Sequence, residues 1–214
     1  MRSLRIDRPV DDVMMDLRDG VVLLQIIDRL RPGTVDWKRV HQRPRNAFQR
    51  IENLNHGVEL CDSVLKLHIT NMSGKDVFDG NRTLTLALLS QLLRYSIDQS
   101  VGGGDAERTL IEWANSLLEK CGQATISGLR DPTLRTAIPQ LHIAQLLFPK
   151  SGISLESVNK GSSELECMEN AAYLISALWR AGVPVLASAL DVAKARPTLL
   201  LHVFAVMNST AKQS

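Results

Sequence analysis

Three blocks of this sequence occur twice, in the same order. Leu17-Arg18-Asp19 returns as Leu129-Arg130-Asp131, and Ile51-Glu52-Asn53 returns as Met168-Glu169-Asn170. Asp76-Val77 with Thr83-Leu84-Thr85-Leu86 returns as Asp191-Val192 with Thr198-Leu199-Leu200-Leu201. Partners stand 112 to 117 residues apart, which implies two copies of one fold in a chain of 214 residues, long enough to bury two cores. The seam is legible too. Residues 100–105, SVGGGD, hold three consecutive glycines that lose much conformational freedom if ordered. Residues 100–104 therefore read as a linker between domains at 1–99 and 105–214. A phosphate-binding loop does not fit there, because no Gly-Lys-Ser/Thr follows and no strand precedes.

Both copies read as helical. In residues 73–93 a polar turn leads into Leu84, Leu86, Ala87, Leu88, Leu89, Leu92 and Leu93, a pattern that predicts a helix buried on nearly every side. Asn81 and Thr83 offer oxygens to the unpaired N–H groups at its start, and Gly80 relaxes φ in the preceding turn. Earlier, Val13, Leu17, Val21, Leu24, Ile27 and Leu30 recur every three or four residues, a helix that Pro32-Gly33 ends. Phe48, Ile51, Leu54, Val58 and Cys61 give another apolar stripe over about residues 45–65. In the second copy, Asp105 caps a helix whose face is Leu110, Trp113, Ala114, Leu117, Leu118 and Cys121, ended by Gly122. Pro197 suits the first turn of the last helix, where its missing N–H costs nothing, and Leu199, Leu201, Val203, Phe204 and Met207 make that helix a second buried axis. Trp113 and Trp179 are expected in the core, and Trp37 as a plug over the third helix rather than a partner anchor. Residues 1–12, interrupted by Pro9, read as extended or loop-like. The copies differ at one end: the second has a full leading helix over residues 106–121, the first only Ser3-Leu4 where that helix should end.

Composition narrows the function classes. No run approaches the roughly 18 apolar residues of a membrane span, and the first residues lack the apolar core of a signal peptide. Cys61, Cys121 and Cys167 lie in apolar contexts without CxxC spacing and read as reduced buried thiols of a cytosolic protein. A net charge of +2 does not suggest nucleic-acid binding. Its distribution is uneven, though: Arg29, Arg31, Lys38, Arg39, Arg43, Arg45 and Arg50 have only Asp28 and Asp36 as nearby acids. Such a segment is either a solvated loop or a contact for an acidic partner.

No catalytic constellation is evident. His41, His56, His68, His142 and His202 are scattered and form no ligand arrangement, and no Gly-x-Ser-x-Gly is present. Asp76, Asp79 and Asn81 resemble part of a calcium loop, but the liganding Glu and the remaining spacing are missing. Asp16 and Asp19, one turn apart, suit helix capping better than acid–base chemistry. The expectation is a protein with no enzymatic activity, no cofactor and no metal.

The string from Ile69 to Val77, ITNMSGKDV, followed by DGNRTLTLALLSQLLR from Asp79, resembles the second signature of actinin-type actin-binding modules. DLRDGVVLLQIIDRL from Asp16, VDWKRV from Val35 and ENLNHGVEL from Glu52 match as well. Together they resemble the third and fourth calponin-homology domains of the fimbrin/plastin family, over nearly the whole chain. The resemblance implies an all-α tandem, each domain built on four main helices, that binds the side of filamentous actin mainly through its first domain. By position, the implied filament surface takes in Lys38, Arg39, His41, Arg43 and Arg45 of the basic loop. It adds Gln91, Arg94 and Tyr95 at the end of the helix in residues 73–93's stretch, and Glu107, Arg108 and Glu112 of the second domain's leading helix. It further implies a monomer of the cytoplasmic actin cytoskeleton that touches neither membrane nor nucleic acid. The family's calcium-binding headpiece and other tandem pair are not in this sequence, so one copy is expected to bind a filament without bundling. The first domain, lacking its leading helix, is expected to be loosened, or to have its groove filled by upstream domains or another molecule. Uncovered apolar side chains at about 2 kcal/mol each can consume much of a domain's stability. The alternative is a calponin-homology scaffold or signalling module that binds another cytoskeletal or partner protein without actin affinity.

Overall fold

Asn81 and Asp105 each start a helix in the way their side chains allow. Asn81 Oδ1 accepts from the Leu84 amide at 3.2 Å, and Asp105 Oδ1 accepts from the Arg108 amide at 3.1 Å. The computed structural model describes residues 10–69 and 71–212, which hold helices, 3-10 turns and loops and no strand. The expectations for residues 1–9, including Ser3-Leu4, lie outside the described residues. The chain divides into two compact units with the boundary between Ser96 and Ile97.

The first unit runs through α1 (Val13–Asp16), α2 (Val21–Leu30), α3 (Ala47–Ser63), α4 (Gly74–Phe78) and α5 (Arg82–Ser100), the last of which reaches past the boundary. α3 packs on α2 and α4. Leu23, Leu24, Ile27, Leu54, Cys61, Val77, Leu88 and Leu92 form the core, with Trp37 and Tyr95 laid half-buried against it. The single helix expected from Val13 to Leu30 is instead two, broken at Gly20. That residue has φ of 76°, and a Cβ on it would come within 2.6 Å of Asn53 Cβ and 2.8 Å of the Leu54 amide. Close passage of α3 decides the break, and periodicity along one segment does not report it.

The second unit contains α6 (Ala106–Lys120), α7 (Ile138–Leu147), α8 (Glu164–Arg180), α9 (Ala189–Ala193) and α10 (Pro197–Ala211), with 3-10 turns at Pro132–Thr136, Pro149–Ser151 and Leu155–Ser157. Pro197 occupies the first turn of α10, and Gly122 follows α6 at φ of 65°. α6 packs on α7 and α10, and α8 packs on α7 and α9. Along α10 every residue from 200 to 208 is buried, so this helix is the all-round axis that its pattern predicts.

Its counterpart α5 is not. Leu86 is 45% exposed where Leu201 is 0%, and Ala87 and Ser90 are exposed where His202 and Ala205 are buried. In the second unit α6 lies against α10, and among the described residues the first unit has no counterpart of α6. The apolar run along α5 is therefore dry on one side only. Two further expectations are corrected. Trp179 is 59% exposed, because α8 turns Cys167, Ala171, Leu174 and Leu178 inward and leaves Leu165, Ala172 and Trp179, seven residues apart, on its open side. Phe48 is 69% exposed, because the buried arc of α3 begins a turn later, at Asn53 and Leu54. Trp113 is half-buried. All three thiols are free; Cys61 and Cys167 are buried and Cys121 is half-buried.

Candidate functional site: a clamped cationic loop

The basic loop of the first unit is held at three points. At its start, Asp28 Oδ1 accepts from the Gly33 and Val35 amides at 3.1 Å each, and Asp28 Oδ2 accepts from Trp37 Nε1 at 3.2 Å. One carboxylate thus fastens Trp37 against the core. In the middle, buried Asn53 Oδ1 accepts from the His41 amide at 2.9 Å, while Asn53 Nδ2 donates to the carbonyls of His41 (2.9 Å) and Asp19 (3.0 Å). At its end, Asn46 Oδ1 accepts from the Gln49 amide and Gln49 Oε1 from the Arg45 amide, at 2.9 and 2.8 Å, a reciprocal cap on α3. Lys38, Arg39, Arg43 and Arg45 stand exposed between these anchors. A rigid backbone carrying free cations binds an acidic surface with little ordering cost.

His41 Nε2 pairs with Glu52 Oε2 at 2.9 Å beside a cavity of about 310 Å³ lined by Arg39, His41, Glu52, Asn55, His56 and Glu59. Glu52, His56 and Glu59 share one face of α3 by their spacing, a relation that a search for metal signatures passes over. Buried His56 Nε2 has no hydrogen-bond partner. At the corresponding place in the second unit, Tyr173 Oη accepts from the Ser154 amide at 2.8 Å and donates to the Gly152 carbonyl at 3.2 Å. Among the described residues no three His, Cys, Asp or Glu side chains are placed to hold a metal. The Cys61 thiol, pushed up to about 12 by burial, is no nucleophile at neutral pH.

The other expected positions fall elsewhere. On α5, Gln91 is half-buried and donates to the His68 carbonyl at 2.8 Å, Arg94 is exposed, and Tyr95 is half-buried against the core. In the second unit, Arg108 and Glu112 form an exposed ion pair at 2.8 Å one turn apart on α6, and Glu107 is half-buried. The expected residues thus lie in three separate segments, of which the loop alone gathers unopposed cations. Phe48, read from the pattern as core, projects from α3 directly after that loop.

The sequence profile of the calponin homology (CH) domain matches residues 2–98 and again residues 104–213. The chain is 33% identical over 215 residues to a fimbrin of Dictyostelium discoideum, covering 96% of this chain and 35% of that protein. It is 31% identical to plastin-2 of Danio rerio, covering 97% and 34%. It therefore spans about a third of the length of these relatives. Among solved structures it is similar to the actin-crosslinking core of Schizosaccharomyces pombe fimbrin, with a TM-score of 0.81 and 31% identity, over 96% of this chain and 45% of that one.

Proposed function

We propose that this chain, which belongs to the calponin homology domain family as a tandem of the fimbrin/plastin kind, binds the side of filamentous actin through the cationic loop of its first domain. The observation that carries this reading is the loop clamped by Asp28, Asn53 and the Asn46–Gln49 cap, with Lys38, Arg39, Arg43 and Arg45 exposed on it. It is supported by the similarity to a fimbrin actin-crosslinking core. Actin filaments are acidic, and cations on a rigid scaffold both steer encounter and hold the complex. His41, Gln91, Arg94 and the α6 residues Glu107, Arg108 and Glu112 complete the surface in a lesser role. Tyr95, half-buried, contributes chiefly by positioning the end of α5.

The relatives are about three times longer, so crosslinking belongs to chains with a further actin-binding unit. On this reading one copy decorates a filament as a monomer in the cytoplasmic actin cytoskeleton, by contacts that need no catalysis and no cofactor. No described helix is long and apolar enough to cross a membrane.

Co-sedimentation with filamentous actin tests this. Pelleting is expected to fall steadily as salt rises, and a triple variant with Lys38→Glu, Arg39→Glu and Arg43→Glu is expected to lose at least about tenfold in affinity. Absence of pelleting by the folded chain at low salt sinks the actin reading in favour of a scaffold that binds another partner.

A further inference from the structure

Each unit places one large apolar side chain in the open at the same point, the first turn of its long central helix. Phe48 on α3 and Leu165 on α8, 117 residues apart, are each 69% exposed. Their surroundings are opposite in sign. Around Phe48 the chain carries Arg43, Arg45 and Arg50 against Glu52, whose carboxylate is taken by His41. Around Leu165 it carries Glu164, Glu166 and Glu169 against Lys160, with Lys194 brought to Glu164 at 3.0 Å.

We propose that Phe48 is the apolar anchor of the first domain's filament contact, entering an acid-rimmed apolar recess on actin while its collar of arginines pairs with the rim. This deepens the function proposed above and rests on it. Three features carry the assignment. An exposed aromatic ring beside arginines has the composition of an interface hot spot, since the ring supplies desolvated area and the guanidiniums supply orientation. The ring is also preorganised: the Asn46–Gln49–Arg45 cap fixes the turn that holds it, so little backbone freedom is lost on binding. Finally, charge decides between the copies. The same knob in the second unit sits among glutamates, which an acidic filament repels, so the two homologous positions separate into one that docks and one that does not.

The test is co-sedimentation of the whole chain with filamentous actin, comparing Phe48→Ala, Phe48→Leu and Leu165→Ala. Phe48→Ala is expected to weaken binding about tenfold or more, Phe48→Leu about threefold, and Leu165→Ala less than about twofold. Because Phe48 is mostly exposed, thermal melting of Phe48→Ala is expected to match the parent chain. Its binding should also keep the parent's salt dependence, whereas Arg43→Ala should flatten it. If Phe48→Ala pellets like a parent chain that binds, the anchor is refuted and the actin reading survives. If the parent chain does not pellet, both fall. Equal weakening by Leu165→Ala overturns the selection by charge.

Discussion

The side chain of Asn53 and the main chain of His41 exchange two hydrogen bonds, with the His41 amide donating to Oδ1 and Nδ2 donating back to the His41 carbonyl, each at 2.9 Å. Asn170 repeats this pairing with Asn159 at 2.9 Å in both directions, and each Asn spends its remaining N–H on a carbonyl 34 residues earlier, Asp19 or Thr136. A buried amide that satisfies three partners pins a loop to a helix far more firmly than apolar contact does, because breaking it strands all of them.

Asn53→Ala is therefore expected to cost the first unit about 2–4 kcal/mol. Urea unfolding measures the loss, and actin pelleting should weaken in parallel because the cationic loop loses its middle clamp. A shift under about 0.5 kcal/mol shows that the pairing is dispensable.

Gly74→Ala should destabilise by about 1–3 kcal/mol through overpacking. A Cβ at Gly74 would meet the Asn55 amide nitrogen at 2.4 Å and the Leu54 carbonyl carbon at 2.7 Å, so α4 must slide off α3. The Gly74 amide would also leave Asn55 Oδ1, to which it donates at 2.8 Å. The second unit has Ala189 at the matching place and serves as the internal control, where Ala189→Gly is expected to do far less. Comparable melting of the Gly74→Ala and parent chains refutes this steric account.

Stability of the second unit should fall in two steps as pH is lowered. His202 is 2% exposed on α10 with Nδ1 unpartnered, and burial holds its pKa below the usual histidine value; burial lowers His142 in the same direction. Above about pH 6.5 both folded and unfolded chains are neutral at these rings, and below it the unfolded chain binds protons first. The folded state accordingly loses ground as pH drops through 6.5 toward the folded-state values. A second loss follows below about pH 4, where Asp131 matters: hydrogen bonds, first from the Thr133 hydroxyl and also from Ser127, lower its carboxyl to about 2. Thermal melts from pH 7.5 to 3 measure both steps, and His202→Leu should flatten the upper one. An unchanged upper step in that variant removes His202 from the explanation.

Leu201→Ala and Leu86→Ala, the same change at matching places, should differ sharply. The first empties a fully buried site and is expected to cost about 2–5 kcal/mol, the second less than about 1 kcal/mol. An amphipathic helix of the α6 pattern supplied ahead of α1 is expected to raise the first unit's melting temperature and to weaken its binding of a dye for apolar surface. Equal costs for the two substitutions show that α5 is as well covered as α10.

Much of this architecture could be read before any coordinates, for physical reasons that also mark where reading stops. Caps and breakers act within a few residues, so Asn81, Asp105, Gly122 and Pro197 were legible as helix ends. The repeat was legible because two copies of one core impose the same residues at the same spacing. Trp179, Phe48 and Leu86 were misread as core for one shared cause: periodicity tells which residues lie on one side of a helix, but not whether another element covers that side. The break at Gly20 depends on α3 passing close by, and the clamping of the loop depends on Asn53, whose partners lie 12 and 34 residues away. The actin surface was legible only as clustered charge. Phe48 was hidden by being apolar within an apolar pattern.

The wet side of α5 also sets an order of yielding. With Thr85 buried but its hydroxyl unpartnered, and Leu86, Ala87 and Ser90 in water, the first domain has less holding its axis helix in place than the second, whose axis is dry all round. Amide hydrogens on α5 should exchange before those on α10. Stretched between its ends, the chain should give first in the domain that grips the filament. Overload would then melt the bound domain before it rips an intact one from its site, and the second domain would stay folded as the part from which the tether is paid out.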